Sequence, residues 1–265
     1  MLSETDRAKA TADLLAAVRE HRSIPPVSAT HPEADVEDAY RIASAVVESR
    51  LADGALLKGH KIGLTSRAMQ LAARIDEPDY GALLDDMFVP EGTVVPMSRL
   101  FRPLAEAELA FVLRERLAGP SATAADVLRA TDFVLPCIEI VDTRFDARGV
   151  SVDTVADNAS SGLVVLGGNP GRLGQIDIRT VGATLSKNGV IEDTGVATAV
   201  LGNPVNAVAW LANKLHGFGV ALEAGEVVLS GSFTRPVPFG PGDVVAAEFT
   251  TLGTVGFSVK TAGAA

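Results

Sequence analysis

The spacing of apolar residues changes once along the chain, near residue 57. Before that point they recur at helical intervals. After Ser3, with Asp6 placed as the acid of a capping box, Ala10, Leu14, Leu15 and Val18 align on one helix face. That helix should stop at Ile24-Pro25-Pro26, because proline removes a donor and clashes with the preceding turn. A second helix follows Asp35 and carries Ala39, Ile42, Ala43, Val46, Val47 and Leu51, with Gly54 as its stop. Neither helix holds a reactive cluster, so both read as scaffold.

From Lys58 onward the pattern becomes short strand-like runs separated by glycine and proline. Strands are expected near 61–64, 104–113, 133–141, 163–166, 184–187, 190–194, 227–230, 244–250 and 255–260. Asn188-Gly189 reads as a hairpin turn, since both residues tolerate positive φ. One later helix is capped by Asn203, has Pro204 in its first turn, lines up Val208, Leu211, Ala212 and Leu215, and can end at Gly217. Strands and helices do not alternate regularly, which disfavours a doubly wound sheet or a barrel of alternating units. The expected class is α+β, mostly β: a curved core with flanking helices. An N-terminal helical section (1–57) packs on a catalytic domain (58–265).

Composition narrows the function. The chain of 265 residues has a formal net charge of −10. That speaks against a nucleic-acid partner, which needs a basic face, but not against an acidic substrate, because one metal ion inverts a local potential. The one cysteine, Cys137, can form neither an intrachain disulfide nor a cysteine cluster. Early acids and the lack of an apolar stretch at the N-terminus predict no signal peptide and no membrane span, with the cytoplasm as the default location.

The chemistry starts at 104–113. Alternation puts Glu106 and Glu108 on one side of a strand and Leu109, Phe111 and Leu113 on the other. Adjacent acids repel unless they are solvated, protonated or bridged by a cation. On this segment alone, a strand face turned to water explains the pattern as well as a metal site does. Glu139 shifts the balance, because it interrupts an almost wholly apolar run at 133–141, where a lone carboxylate is expensive to bury. Three carboxylates can hold one hard cation such as Mg²⁺ or Mn²⁺ and leave positions open for substrate oxygens. Cys137 shares strand parity with Glu139 and reads as a small core residue bordering the site.

Other segments combine polar groups with turns. LKGHKIGLTSRAMQ (57–70) joins a strand, the proton-transfer candidates His60 and Lys61, and a helix start capped by Ser66. EPDYGALLDDMF (77–88) reads as an acidic loop able to close over a pocket. DTVADNASSG (153–162) is dense in small polar groups. By themselves Lys61 reads as an exposed strand lysine and Asp79 as a turn residue. His60 should face away from Lys61, a supporting position. His21, His31 and His216 sit in turns or at a helix end and read as surface or capping groups.

Taken in order, KIGLTS, EPDYGALLDDMF, the ExE with a third glutamate, DTVADNASSG, NGVIEDTG and GSFTRP resemble the hydratase and decarboxylase branch of the fumarylacetoacetate-hydrolase superfamily, from about residue 31 to the C-terminus. The resemblance implies a distorted β roll with flanking helices, Mg²⁺ or Mn²⁺ on Glu106, Glu108 and Glu139, and Lys61 and Asp79 as acid/base or positioning groups. Thr65, Ser66, Ser160 and Ser161 are then candidate hydrogen-bonding groups for substrate. Arg67 and Arg235 are candidate partners of a distal carboxylate. The implied reaction is hydration of a 2-hydroxy-2,4-dienoate or unsaturated 2-oxo acid, with a seven-carbon diacid foremost. A five-carbon dienoate, or decarboxylation of 4-oxalocrotonate, are the alternatives on the same scaffold. Segment 142–152 is nearer in length to the five-carbon hydratases. The branch also implies a homo-oligomer, pentameric or decameric.

Overall fold

The computed structural model describes residues 1–73, 75–147 and 149–260. The chain opens with α1 (Glu4–Glu20), the short α2 (Val27–Thr30) and α3 (Val36–Ala52). Ser3 caps α1 by accepting the Asp6 N–H at 3.1 Å. The helix ends before the proline pair, because His21 turns left-handed (φ 47) and Ile24 bridges to Phe145. The buried stripe of α1 is Ala10, Leu14 and Ala17, which leaves Val18 46% exposed rather than in the core. Asp35 and Asp38 form a reciprocal capping box on α3. Asp38 also takes the Leu2 N–H at 2.7 Å and the Arg7 guanidinium at 2.9 Å, which ties α1 to α3.

The rest of the chain runs β1 (Leu57–Gly63), α4 (Arg67–Ala73), β2 (Asp79–Leu84), β3 (Phe88–Pro90), β4 (Val94–Val95), β5 (Leu104–Leu113), α5 (Ala124–Ala130), β6 (Thr131–Val141), α6 (Ser151–Ala156), β7 (Ser161–Leu166), β8 (Gly182–Lys187), β9 (Val190–Val196), α7 (Pro204–His216), β10 (Val227–Leu229), β11 (Val237–Pro238), β12 (Val244–Phe249) and β13 (Gly253–Val259). Each strand expected from the sequence is present, and Asn188 and Gly189 both have positive φ in the β8–β9 turn. The acidic segment expected as a loop is instead β2, paired antiparallel with β1. DYGALL shows no alternation of apolar and polar residues, and its strand character comes from the pairing with β1.

One sheet has the order β2-β1-β10-β5-β6-β7-β3, with β11 added to β5; the other has the order β4-β13-β12-β8-β9. The parallel pairing of β1 with β10 joins segments far apart in sequence. Ala105, Ala107, Leu109, Phe111 and Leu113 turn one face of β5 into the main core, shared with α7 and the second sheet. The other face of the first sheet carries a separate apolar cluster of Leu83, Ala110, Cys137, Val164 and Leu229. The N-terminal helices pack through Leu14, Ala39 and Ile42 on Phe145, Val155 and Ala156.

Buried Asp153 pins α2 to α6: it accepts the Ser28 N–H at 2.8 Å, the Ser28 hydroxyl at 2.7 Å and the Val150 N–H at 2.8 Å. Asp153→Ala strands three donors and should lower unfolding stability by about 3 kcal/mol. The exposed control Asp146→Ala should change it by less than about 0.5 kcal/mol. Urea titration of both variants checks this.

Candidate metal centre

Strand register assembles the site. Glu106 on β5 lies directly opposite Glu139 on β6, and Glu108 lies opposite Cys137. All four residues share the face that carries Ala110, Leu229 and Val164. Two strands away, Lys61 is in register with Leu229 on β10 and with Gly81 on β2, while Gly63 is in register with Asp79. Lys61 and Asp79 therefore face the same hollow as the glutamates. Glu108, Glu139, Lys61 and Asp79 are buried, and Glu106 is half-buried toward the opening.

One carboxylate oxygen from each of Glu106, Glu108 and Glu139 lies within 4.8 Å of the others, the one grouping of its kind among the described residues. Oxygens that share a divalent ion lie about 2.0–2.6 Å from it, hence no more than about 5 Å apart. Glu108 accepts the Gly231 N–H at 2.9 Å. Both oxygens of Glu139 lack a hydrogen-bond donor, and its one ion-pair partner among the described residues is the Lys61 ammonium at 3.3 Å. A buried carboxylate so poorly compensated calls for a cation. The hard oxygen donors suit Mg²⁺, Mn²⁺ or Ca²⁺.

The electrostatics agree. Burial, reinforced by the Glu139 charge, pushes the Glu106 carboxyl up to about 8. Burial and the charges of Glu139 and Glu106 raise Glu108 well above the ordinary range. Burial also raises Asp79, against the opposing pull of Lys61. Desolvation alone would lower the Lys61 ammonium, but Glu139, Asp79, Glu108 and Glu106 together outweigh it and raise it. The Cys137 thiol is pushed up by burial and by Glu108 and Glu139, so it stays neutral beside the cluster.

Lys61 and Asp79 both reach the space over Gly63. A Cβ at residue 63 would stand 2.2 Å from Asp79 Oδ1 and 3.2 Å from Lys61 Nζ. Gly231 (φ 102) is needed for a similar reason, since a Cβ there would meet the Thr65 hydroxyl at 2.1 Å. Thr65 is thus buried against the loop that serves Glu108. Ser66 caps α4, accepting the Met69 N–H at 3.2 Å, and Arg67 is exposed at the first residue of that helix. Ser161 donates to Asn158 O at 2.7 Å, and Ser160 is buried in the same turn. Arg235 is exposed; its guanidinium donates to Glu192 O and stands 3.7 Å from Asp193. His60 points to the other side of β1, with Nδ1 3.5 Å from Glu226 Oε2. Gly63, Gly231, Asn158 and Arg144 escaped sequence reading. Glycines in GHKIG and GSF were visible, but the side chains that fill their missing Cβ positions lie far away in sequence.

With no ion bound, the folded chain keeps a proton on Glu106 up to about pH 8, whereas an ordinary glutamate loses it near 4.5. The folded state then binds more protons than the unfolded state across that window, so this group's contribution to stability falls as pH rises. A cation competes with the protons. Thermal melts in EDTA and in Mg²⁺ should therefore show a larger Mg²⁺-induced rise in Tm at pH 8 than at pH 5.5. Equal rises would contradict the assignment.

Comparison with known proteins places this geometry in a family. The family described as fumarylacetoacetate (FAA) hydrolase C-terminal matches residues 58–260. The 2-oxo-hept-4-ene-1,7-dioate hydratase of Escherichia coli is 47% identical over 246 residues, covering 90% of this chain and 92% of that protein. The 2-keto-4-pentenoate hydratase of Paraburkholderia xenovorans (strain LB400) is 41% identical, covering 96% of this chain and 95% of the relative. Among solved structures, 4-oxalocrotonate decarboxylase from Pseudomonas putida G7, complexed with magnesium and adipate, superposes with a TM-score of 0.94 at 34% identity over 98% of this chain and 99% of that one. Matched across residues 58–260 and 47% identical to a relative over 90% of its own length, the chain belongs to the fumarylacetoacetate hydrolase C-terminal family.

Proposed function

We propose that this protein is a divalent-metal-dependent hydratase that converts 2-oxo-hept-4-ene-1,7-dioate to 4-hydroxy-2-oxoheptanedioate. The observation that carries the reading is the carboxylate triad beside the buried Lys61 and Asp79, in a chain 47% identical to a hydratase of that name. Glu106, Glu108 and Glu139 would hold Mg²⁺ or Mn²⁺, which supplies Lewis acidity toward the substrate's carboxylate and 2-oxo group.

The chain's own groups move the protons. The substrate's double bond first shifts into conjugation with the 2-oxo group, by loss of a proton at the third carbon and gain of one at the fifth. Water then adds at the fourth carbon and a proton returns to the third, so one water is consumed and no other product leaves. Asp79, whose carboxyl burial raises above the ordinary carboxylate range, is suited to take up and return a proton. Lys61, raised by its carboxylate neighbours, is held cationic and suited to stabilise oxyanion charge and orient a carboxylate. Thr65, Ser66 and Ser160 would supply hydrogen bonds to substrate, and the exposed Arg67 would meet a distal carboxylate. We extend the proposal to a homo-oligomeric assembly, which light scattering measures. Among the described residues no helix is long and apolar enough to cross a membrane.

A decarboxylase reading has one observation in its favour, the 0.94 TM-score to 4-oxalocrotonate decarboxylase. The two reactions differ in products. Incubation of 2-hydroxyhepta-2,4-diene-1,7-dioate, the five-carbon dienoate and 4-oxalocrotonate with Mg²⁺ or EDTA, followed by ultraviolet absorbance and proton NMR, should give Mg²⁺-dependent 4-hydroxy-2-oxoheptanedioate. Carbon dioxide from oxalocrotonate without hydration would refute the reading. Glu106→Gln should keep the fold and abolish Mg²⁺-dependent turnover. Gly63→Ala should keep metal affinity but lower kcat about 100-fold, because its methyl group displaces the Asp79 carboxylate. Wild-type kcat in Gly63→Ala would remove the placement of Asp79 from the mechanism.

A further inference from the structure

Asn158, Ala159 and Ser160 are three consecutive residues with φ of 54, 51 and 54. Left-handed backbone is disfavoured for any residue with a Cβ, and a run of three with no glycine persists only where its surroundings over-determine it. All three are buried. A cavity of about 360 Å³ borders Asp157, Asn158 and Ser161, so packing does not support the turn from that side. Hydrogen bonds do. The half-buried Arg144 spans both ends of the turn: it donates to the Asp157 carboxylate, to Asp157 O at 2.7 Å and to Ser161 O at 2.8 Å. The Ser161 hydroxyl returns to Asn158 O at 2.7 Å, and the Asp142 N–H donates to Ser160 O at 2.8 Å.

The strained turn delivers one side chain to β2, an edge strand whose outer backbone groups need partners. Asn158 Oδ1 accepts the Ala82 N–H at 2.8 Å, and Asn158 Nδ2 donates to Ala82 O at 2.8 Å. The amide thus takes the place of a neighbouring strand. The turn also sits flush on Gly81, where a Cβ would meet Asn158 O at 2.3 Å. Gly81 is the register partner of Lys61, and Asp79 lies two residues before it on the same face. From the outer face, Tyr80 stacks on Tyr40 of α3 at 4.6 Å.

We propose that Asn158 is a positioning residue for the reaction: its left-handed turn, locked by Arg144 and Asp157, clamps the edge of β2 and so sets where Asp79 stands beside the Lys61 and glutamate cluster. The strain is retained because a turn that left the left-handed region would withdraw the amide from Ala82. The effect on catalysis rests on the hydratase reading; the clamp itself does not, so the two are tested separately.

Two variants divide strain from clamp. Asn158→Gly relaxes the backbone and removes the amide, whereas Ala159→Gly relaxes the backbone and keeps it. Hydrogen exchange of the 79–84 amides reports the clamp without any substrate. Exchange should speed up at least about tenfold in Asn158→Gly and stay at the wild-type rate in Ala159→Gly. In the hydration assay Asn158→Gly should lose about 100-fold in kcat with KM and Mn²⁺ affinity within about twofold, while Ala159→Gly keeps wild-type kcat. Wild-type exchange in Asn158→Gly would overturn the clamp. A fall in kcat matched by an equal loss of Mn²⁺ affinity would overturn the positioning role and leave a general structural one. If wild-type enzyme hydrates none of the acids, the functional reading fails while the exchange result still decides the clamp.

Discussion

Four carboxylates and one ammonium share the inside of the curled first sheet, and that imbalance of charge governs the rest of the structure. Glu106, Glu108, Glu139 and Asp79 surround Lys61, which forms a close ion pair with Glu139 alone. In a low-dielectric hollow the surplus negative charge is resolved by protonation or by a cation. The apolar floor of Leu83, Ala110, Cys137, Val164 and Leu229 keeps the cluster from being solvated from below. The same floor raises the Glu106 and Glu108 carboxyls and makes the cluster a favourable place for a cation.

Holding like charges together demands a stiff frame. The two strands that carry the glutamates are the longest in the first sheet and pair along nearly their whole length. Their opposite face, from Ala105 to Leu113, is locked into the main core. Glycine is used where groups must approach closely: Gly63 beneath Asp79 and Lys61, Gly231 against Thr65. The N-terminal helices contribute no group to the cluster. They brace β2 through the Tyr40–Tyr80 stack and α6 through Asp153.

Much of this was legible in the sequence, and the parts that were not have a common cause. Alternation placed Glu106 and Glu108 together, and an isolated acid in an apolar run exposed Glu139, because both signals lie within one strand. The caps of α1, α3 and α7 were equally local. Segment 79–84 was misread as a loop, because its strand character depends on β1 and on the Asn158 amide, both distant in sequence. Its outcome matters, since β2 carries Asp79. The Gly231 donor to Glu108 was invisible for the same reason, as was the Arg144 bridge across the left-handed turn. Long-range hydrogen bonds leave no periodic trace. The resemblance of ordered motifs supplied Lys61 and Asp79, which composition and spacing alone would have left on the surface.

The central claim is that Glu106, Glu108 and Glu139 form one divalent-metal site. Crystals of the catalytically active protein grown with Mn²⁺, with anomalous diffraction collected at the manganese edge, test it most directly. The account predicts a single strong anomalous peak within about 2.0–2.4 Å of an oxygen from each of the three glutamates, on the Lys61 side of the sheet. A peak elsewhere, or none at all in crystals that still turn over substrate, would contradict it.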